Sequence, residues 1–510
     1  MIDMNVKQCV LALAILIPAA AAAQYREAPA PQREDSTLVL SLEDAIKIAL
    51  SENTTVKVAD LEVQRSQYAR KGSYASLFPQ VNGSGSYQRT IKKQVMYMGG
   101  GSSDDEKEGS GGGMASMYSS MLDPIYYYLE QLMAQHPGAI VPYVPAPVDD
   151  GGSNASSGGF EVGRTNTFSA GISASMPLVN AQLWKSIEIS ADQVELAVEK
   201  ARESRLGTVT SVKQAFYAVL LAKEAFEVYK VVYENAVENY RQTEMKYNAQ
   251  KASELDLTRA KSSVAAAIPN VYNAESGILL ALWQLKAVMG IDLEREVDVA
   301  GSLEDYAHTM FYDLNEGENA GLERNTSLRQ LDLQAEQLAK TVRMQQYAYL
   351  PSLSLSFAYS FNAMTDDFNF KEYRWTPYSY VGLSLSIPIF SGGQRYYAVK
   401  QSRVQADELD LQRVNTERQL RIGIRQSLQT METAMKTYDA ARDAVETAEK
   451  AYDIAAKSYK VGKSTFTDLS NTELTLTQTR LQAAQAVYNF VVAKAGLEQT
   501  LGYDFATEEN

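Results

Sequence analysis

Apolar positions along the 510-residue chain follow two periods, and each period marks a different kind of element. From about 180 to 247 and from about 393 to 459 there is no proline and almost no glycine, and apolar residues return every seventh position. The first series is Val212, Val219, Phe226, Tyr233, Tyr240 and Tyr247; the second is Ile424, Met431, Tyr438, Val445, Tyr452 and Tyr459. A sustained seven-residue period keeps one seam against a neighbour only when helices supercoil left-handedly. At a rise of 1.5 Å per residue, each such helix runs for roughly 100 Å. After a break the period returns at Val264, Val271, Ile278 and Leu285, and again at Leu476, Ala483, Phe490 and Leu497. The pattern therefore predicts two long helical hairpins, over 180–290 and 392–501. Pro269 lies in one return helix, where its missing N–H and its clash with the preceding turn predict a kink.

Elsewhere the period falls to two. Phe168, Ala170, Ile172, Ala174 and Met176 alternate with serine and glycine; Leu353, Leu355, Phe357, Tyr359 and Phe361 alternate with Ser352, Ser354, Ser356, Ala358 and Ser360. Val381, Leu383, Leu385, Ile387 and Ile389 alternate with Tyr380, Gly382, Ser384, Ser386 and Pro388, and Val81 to Arg89 is a weaker case. A strand sends alternate side chains to opposite faces. Strands are therefore expected at about 80–90, 166–177, 352–362 and 379–389, each with one apolar and one small polar face. Each is about ten residues long, the length that crosses a membrane as a tilted strand. Four strands are too few for a sandwich core and also too few to close a barrel, which begins at about eight. An open sheet edge in lipid leaves unpaired backbone groups, so this reading requires several copies.

The chain also repeats itself. Asn53-Thr54 matches Asn325-Thr326 and Phe78-Pro79 matches Leu350-Pro351 at an offset of 272; Met289-Gly290-Ile291-Asp292 matches Leu501-Gly502-Tyr503-Asp504 at 212. The shift between offsets marks an insertion of about 60 residues in the first half of a duplicated unit. The organisation expected is a first repeat over 24–300, an irregular linker over 292–313 (its core at 301–313), a second repeat over 314–502 and a tail at 503–510. Shorter helices are expected near 41–78 and 314–350, and the insertion spans 91–164.

Composition narrows the function. The formal net charge is −14, and Lys and Arg form no dense tract, so no nucleic-acid partner is expected. Lys7, the apolar run from Val10 to Ile17, and Ala21-Ala22-Ala23 have the form of a signal peptide over 1–23. The single cysteine, Cys9, lies inside it, so neither disulfide nor acyl anchor is expected in the mature chain. Nothing later approaches the ~20 apolar residues of a membrane helix. His136 and His308 lack metal-ligand spacing and no G-x-S-x-G elbow occurs, so neither enzyme, cofactor nor metal is expected.

An exported, duplicated chain of strand pairs and long hairpins resembles the TolC family of outer-membrane efflux channels, over about 38–502. The sharpest motif is Tyr459-Lys460-Val461-Gly462-Lys463-Ser464-Thr465-Phe466-Thr467-Asp468-Leu469, similar to that family's tip signature; Tyr247 to Leu257 is a degenerate copy. The resemblance implies a mixed fold, mostly α: a homotrimer with a shared 12-stranded transmembrane β-barrel and a helical tunnel in the periplasm. It implies an exit duct for small toxic molecules, opened by a periplasmic adaptor and an inner-membrane transporter of the RND type. A protein-secretion duct and a soluble periplasmic coiled-coil protein are the competing readings.

By the same resemblance, Asp468, Asn471 and Asp256 belong to the channel constriction, Asp256 as the tip acid of the first hairpin. Asn471 departs from the family's acidic pattern, leaving one acidic ring instead of two. Val461, Gly462, Lys463, Thr465, Gln250 and Lys251 are the implied adaptor contacts. Both aspartates also suit a plain helix start, where acids oppose the macrodipole, and Gly462 suits a helix C-cap. The insertion holds Met96, Met98, Met114, Met117 and Met121 and a short helical pattern over 124–135. Thioethers suit Cu(I), but adaptable packing is the simpler use.

Overall fold

The seven-residue stretches fold as helices of great length, and the period-two stretches as one sheet. The computed structural model describes residues 38–96, 160–308, 310, 321–368 and 373–503. The signal segment 1–23, insertion residues 97–159 (with the methionines from Met98 to Met121, His136 and the expected short helix) and tail residues 504–510 lie outside the described residues. The same holds for 309 and 311–320 of the linker and second repeat.

In chain order the elements are β1 (Leu38–Leu40), α1 (Leu42–Glu52), α2 (Thr54–Ala75), β2 (Gln80–Arg89), β3 (Gln94–Met96), β4 (Phe160–Val162), β5 (Asn166–Val179) and α3 (Ala181–Asn248). Then come α4 (Glu254–Met289), β6 (Val297–Val299), α5 (Leu303–Ala307), α6 (Thr326–Tyr347), β7 (Ser352–Thr365), β8 (Thr376–Ser386), α7 (Gln394–Lys460) and α8 (Phe466–Leu501). Helices α3 and α7 have 68 and 67 residues, and each return helix has 36. Helix α4 runs through Pro269 without ending there.

Contacts divide the chain into two compact units, and neither is one of the sequence repeats. One comprises Met1–Glu62, Glu199–Arg329 and Val414–Asn510; the other comprises Val63–Val198 and Gln330–Arg413.

The second unit holds the four-stranded antiparallel sheet, in the order β2-β5-β7-β8. Its register puts the apolar sets of all four strands on one face. Across the sheet, Val81 pairs Ala174, Ala174 pairs Phe357, and Phe357 pairs Val381. On the opposite face Asn82 pairs Ser173, Ser173 pairs Ala358, and Ala358 pairs Tyr380. On the outer strand β8, Val381, Leu383 and Leu385 are 72%, 67% and 61% exposed. A water-facing sheet does not carry so continuous an apolar face. Strands β2 and β8 each have one edge unpaired among the described residues. Beyond the end of β7, Asp366 accepts from Arg164 (2.6 Å), from the Thr165 amide (2.8 Å) and from Lys93 (3.0 Å). With the Arg164 hydrogen bond foremost, these donors hold its carboxyl far below the usual carboxylate range.

Three strands differ by two residues or more from the extents predicted, β5 by running on to Val179. The strand expected at 379–389 is Thr376–Ser386, leaving Ile387 and Ile389 outside the ladder. Its last pair is Ser352 with Ser386. Beyond it Pro388 has no N–H to donate and Pro351 precedes the partner strand. The strand expected at 352–362 continues to Thr365 because β5, beginning at Asn166, pairs with it to that point. The linker, too, is more ordered than expected. It contains β6, which pairs in parallel with β1 from Leu38↔Val297 to Leu40↔Val299, and the one-turn helix α5.

The core of the first unit is apolar and continuous, with Ile46, Val212, Phe216, Val219, Leu220, Leu285, Met289, Met431, Phe490 and Leu497 almost fully buried. Within it the repeated landmarks of the sequence meet as two equivalent joints. Asn53 Nδ2 donates to Val288 O at 2.6 Å, and Asn325 Nδ2 donates to Thr500 O at 2.7 Å. Each asparagine also caps its own helix through Oδ1, accepting from Thr55 N at 2.7 Å and from Leu328 N at 2.9 Å. Opposite them Gly290 and Gly502 end α4 and α8 at φ 75°. The matched Asn-Thr segments and the matched glycines Gly290 and Gly502 are thus two faces of one contact, made twice.

Candidate functional site at the hairpin tips

Each hairpin reverses over five residues, 249–253 and 461–465, and the two turns share one hydrogen-bond plan. Lys463 N donates to Ser458 O at 2.8 Å and Lys251 N to Lys246 O at 2.7 Å. These bonds close the outgoing helices as Schellman motifs, which need a left-handed residue just past the helix. Gly462 fills that position at φ 79° and Gln250 at φ 60°. Gln250 is the only non-glycine residue with positive φ among those described. A side chain there costs about 1 kcal/mol or slightly more. Gln250→Gly is therefore expected to stabilise the protein by about 1 kcal/mol, and Gly462→Ala to destabilise it by a similar amount. Denaturant unfolding of the purified variants measures both, and equal effects of the same sign would contradict the shared plan.

The return helices start with capping boxes. Thr465 Oγ1 donates to Asp468 Oδ2 at 2.7 Å, and the Asp468 amide donates back to Thr465 Oγ1 at 3.1 Å. Ser253 and Asp256 repeat these bonds at 2.7 and 3.1 Å. The Thr465 hydroxyl, then its amide, lower the pKa of Asp468. Asp468 is thus a cap, yet it remains exposed, as does Asn471 one turn further on. Val461, Gly462, Lys463, Thr465, Gln250 and Lys251 are exposed as well.

A small second core lies just behind the tips: Ala260, Ala455, Tyr459, Phe466 and Leu469, flanked by Tyr240 and Tyr452. It joins the two hairpins, and polar side chains of α3 lace its edge. The Asn235 amide lies beside the Glu473 carboxyl and the Asn239 amide beside the Tyr452 phenol, each lowering its neighbour's pKa against the effect of burial. Four residues on, Thr243 and Tyr459 share a hydrogen bond through their hydroxyls. Lys246 then donates to the Tyr459 carbonyl, its ammonium 3.9 Å from the centre of the Tyr459 ring. Burial lowers the Lys246 pKa and raises that of Tyr459. Arg259 Nη1 reaches Thr467 Oγ1 at 3.4 Å, a further link between the hairpins.

Sequence reading did not single out Asn235, Asn239, Thr243, Lys246 or Glu473. A signal existed for one of them, Thr243. Glu473 shares its seven-residue line with Arg480 as well as with buried Phe466 and Val487, so the sequence does not set it apart. Thr243 falls on the seam line of buried Ala236 and corresponds to Ala455 in the second half. The two halves therefore share a backbone plan but differ in this lacing.

Among the described residues no group of three or more His, Cys, Asp or Glu is placed to hold a metal ion, and no helix is long and apolar enough to cross a membrane. A sheet with one apolar face, in a chain with two long helical hairpins laced at their tips, defines an outer-membrane channel with a periplasmic extension. A family model described as "Outer membrane efflux protein" matches residues 139–291 and 319–503, more than half of the chain, and the chain belongs to that family. It is 21% identical over 353 residues to outer membrane protein TolC of Escherichia coli (strain K12), covering 66% of this chain and 70% of that one. The fold is similar to the Campylobacter jejuni CmeC outer membrane channel, with TM-score 0.63, 17% identity and coverage of 92% and 88% of the two chains. It is similar also to the open state of the Neisseria gonorrhoeae MtrE outer membrane channel, with TM-score 0.63, 16% identity and coverage of 90% and 88%. Members of this family are outer-membrane channels that act in efflux or secretion.

Proposed function

We propose that three copies of this chain pool their sheets into one twelve-stranded barrel in the outer membrane and their hairpins into one periplasmic tunnel. The observation that carries this reading is the four-stranded sheet with a single apolar face and, among the described residues, two unpaired edges. In lipid such edges leave backbone groups unpaired, and neighbouring copies satisfy them by continuing the ladder. The tunnel is the exit duct of a tripartite system that carries small toxic molecules out of the periplasm, as the efflux description of the family suggests. The tips meet a periplasmic adaptor through Val461, Gly462, Lys463, Thr465, Gln250 and Lys251, and an inner-membrane transporter of the RND type supplies the cargo. Asp468 and Asn471 line the constriction, and Asp256 belongs to it as the tip acid of the first hairpin. The lowered pKa of Asp468 keeps its carboxylate charged as pH falls, so three copies make a ring that favours cations.

A photo-crosslinking residue at Lys463, exposed at the turn, tests the partner in living cells. The expected product joins this chain to a periplasmic adaptor, and deletion of the chain sensitises the cell to small toxic compounds. Products with sister copies alone, or a deletion that abolishes only protein export, would overturn the efflux reading. In planar bilayers, Asp468→Asn is expected to lower the cation-to-anion permeability ratio several-fold; an unchanged ratio would remove Asp468 from the constriction.

A further inference from the structure

Glu473 has no part in the reading above, yet it occupies the most exacting position behind the tips. It lies on α8 only 8% exposed, two turns after buried Phe466 and two turns before Arg480. Its Oε1 and the Oδ2 of Asp192 are the only buried side-chain oxygens among the described residues without a hydrogen-bond partner. From α3, the Asn235 amide lies beside the carboxyl and lowers its pKa. From α7, Tyr452 faces it, with the Asn239 amide beside Tyr452 and Asp453 adding its charge to the surroundings of that phenol. Arg480, two turns along α8, is held by Glu449 at 2.6 Å. On its own helix, the Thr477 hydroxyl donates to the Glu473 backbone carbonyl at 2.8 Å and so does not serve the carboxyl. Glu473 therefore meets a single amide, a phenol and apolar packing.

A buried carboxylate in such surroundings is costly, whereas the neutral acid carries its own donor proton and loses little. We propose that Glu473 is a proton-binding site that locks the two hairpins together when protonated and releases them when ionised. The inference rests on the duct reading only for its consequence, that acid closes the tips and neutral pH loosens them.

Burial, opposed by the Asn235 amide, raises the carboxyl from its ordinary 4.5 to about 7. When the hairpins part, water reaches Glu473 and its pKa falls back toward the ordinary value. The parted state then binds fewer protons, so rising pH favours it between the two values, by up to about tenfold in the equilibrium per pH unit. Above about pH 7 both states are ionised and the effect levels off. Asp468 cannot supply this response, because its pKa is lowered and it stays ionised through that range.

Infrared titration of the purified full-length protein in membranes reads the carboxyl directly, and spin labels at the exposed positions Arg241 on α3 and Lys457 on α7 read the spacing of the hairpins. The expected result is a protonated-carboxyl band that disappears near pH 7 and is absent from Glu473→Gln. The parted fraction is expected to rise at least tenfold relative to the packed one between about pH 5 and pH 7.5. Glu473→Gln, whose amide imitates the neutral acid, stays packed throughout; Asp468→Asn keeps the pH response. Asn235→Ala removes the amide that lowers the pKa and so moves the midpoint upward, a check that does not need the glutamine variant to fold well. A band that titrates below about pH 5, a spacing indifferent to pH, or a response that survives in Glu473→Gln would overturn the proposal. Absence of conductance at every pH would instead count against the duct, leaving the titration intact.

Discussion

Gly502→Ala is expected to cost roughly 3 kcal/mol or more, enough to deplete the folded protein, whereas Gly462→Ala costs about 1 kcal/mol. Both glycines end long helices at nearly the same φ, 75° and 79°, so propensity alone would rank them together. Their surroundings separate them. A Cβ on Gly502 would lie 2.2 Å from Arg324 O and 2.7 Å from Arg324 C, both backbone atoms that cannot swing aside. A Cβ on Gly462 would meet nothing within 4 Å. The Gly502 carbonyl also accepts from Arg202 at 2.9 Å, and the neighbouring Asn325–Thr500 bond of 2.7 Å depends on the same approach. Gly290→Ala should rank between them, because its Cβ would meet Glu52 O at 2.8 Å. Yield and thermal stability of the three variants from the same membranes measure the order. Equal losses for Gly462 and Gly502 would contradict the close helix contact.

The second large effect concerns the sheet. Val381→Lys, near the middle of β8 on the apolar face, is expected to cost about 2–4 kcal/mol, the penalty for a charge at mid-bilayer depth on a barrel surface. Ser384→Lys, on the opposite face of the same strand, should be close to neutral. Val381 is 72% exposed in the single chain, so a water-facing sheet would tolerate lysine there without loss, and solubility would improve. The sign of the Val381 effect thus separates lipid from water. Folding into lipid vesicles, compared between the two lysine variants, supplies the measurement.

These two regions also differ in how much the sequence could disclose. Alternation along Phe168 to Met176 and Leu353 to Phe361 gave each strand its two faces, because period two follows from the backbone itself. That the apolar faces coincide across four strands depends on register, which no single segment contains. The end of β8 was misplaced for the same reason: Ile387 and Ile389 continue the pattern, but the partner strand has run out and Pro388 cannot donate. Repeat landmarks were visible as pairs of motifs, yet not that Asn53 touches the turn before Gly290. Residues 235 positions apart leave no local trace of meeting. The parallel pairing of β1 with β6 was hidden likewise, each strand being only three residues long.

At the tips, the glycine of the second motif announced its turn, and the degenerate first copy takes the same turn with Gln250 at positive φ. Backbone hydrogen bonds fixed by the Schellman plan enforce that φ and override the side chain's preference. The lacing of Asn235, Asn239, Thr243 and Lys246 lies along one side of α3, where polar residues ordinarily face water. Only the presence of α7 and α8 turns them into partners, so Glu473 reads as a surface charge until its neighbours are in place.

The most direct test of the whole reading is the mass of the species extracted from the outer membrane in mild detergent, measured by light scattering with the detergent subtracted. Three copies per particle, resistant to extraction without detergent, is the expected result, since only sister strands can seal β2 and β8. A single copy recovered from the periplasmic fraction in plain buffer, with its sheet intact, would contradict it.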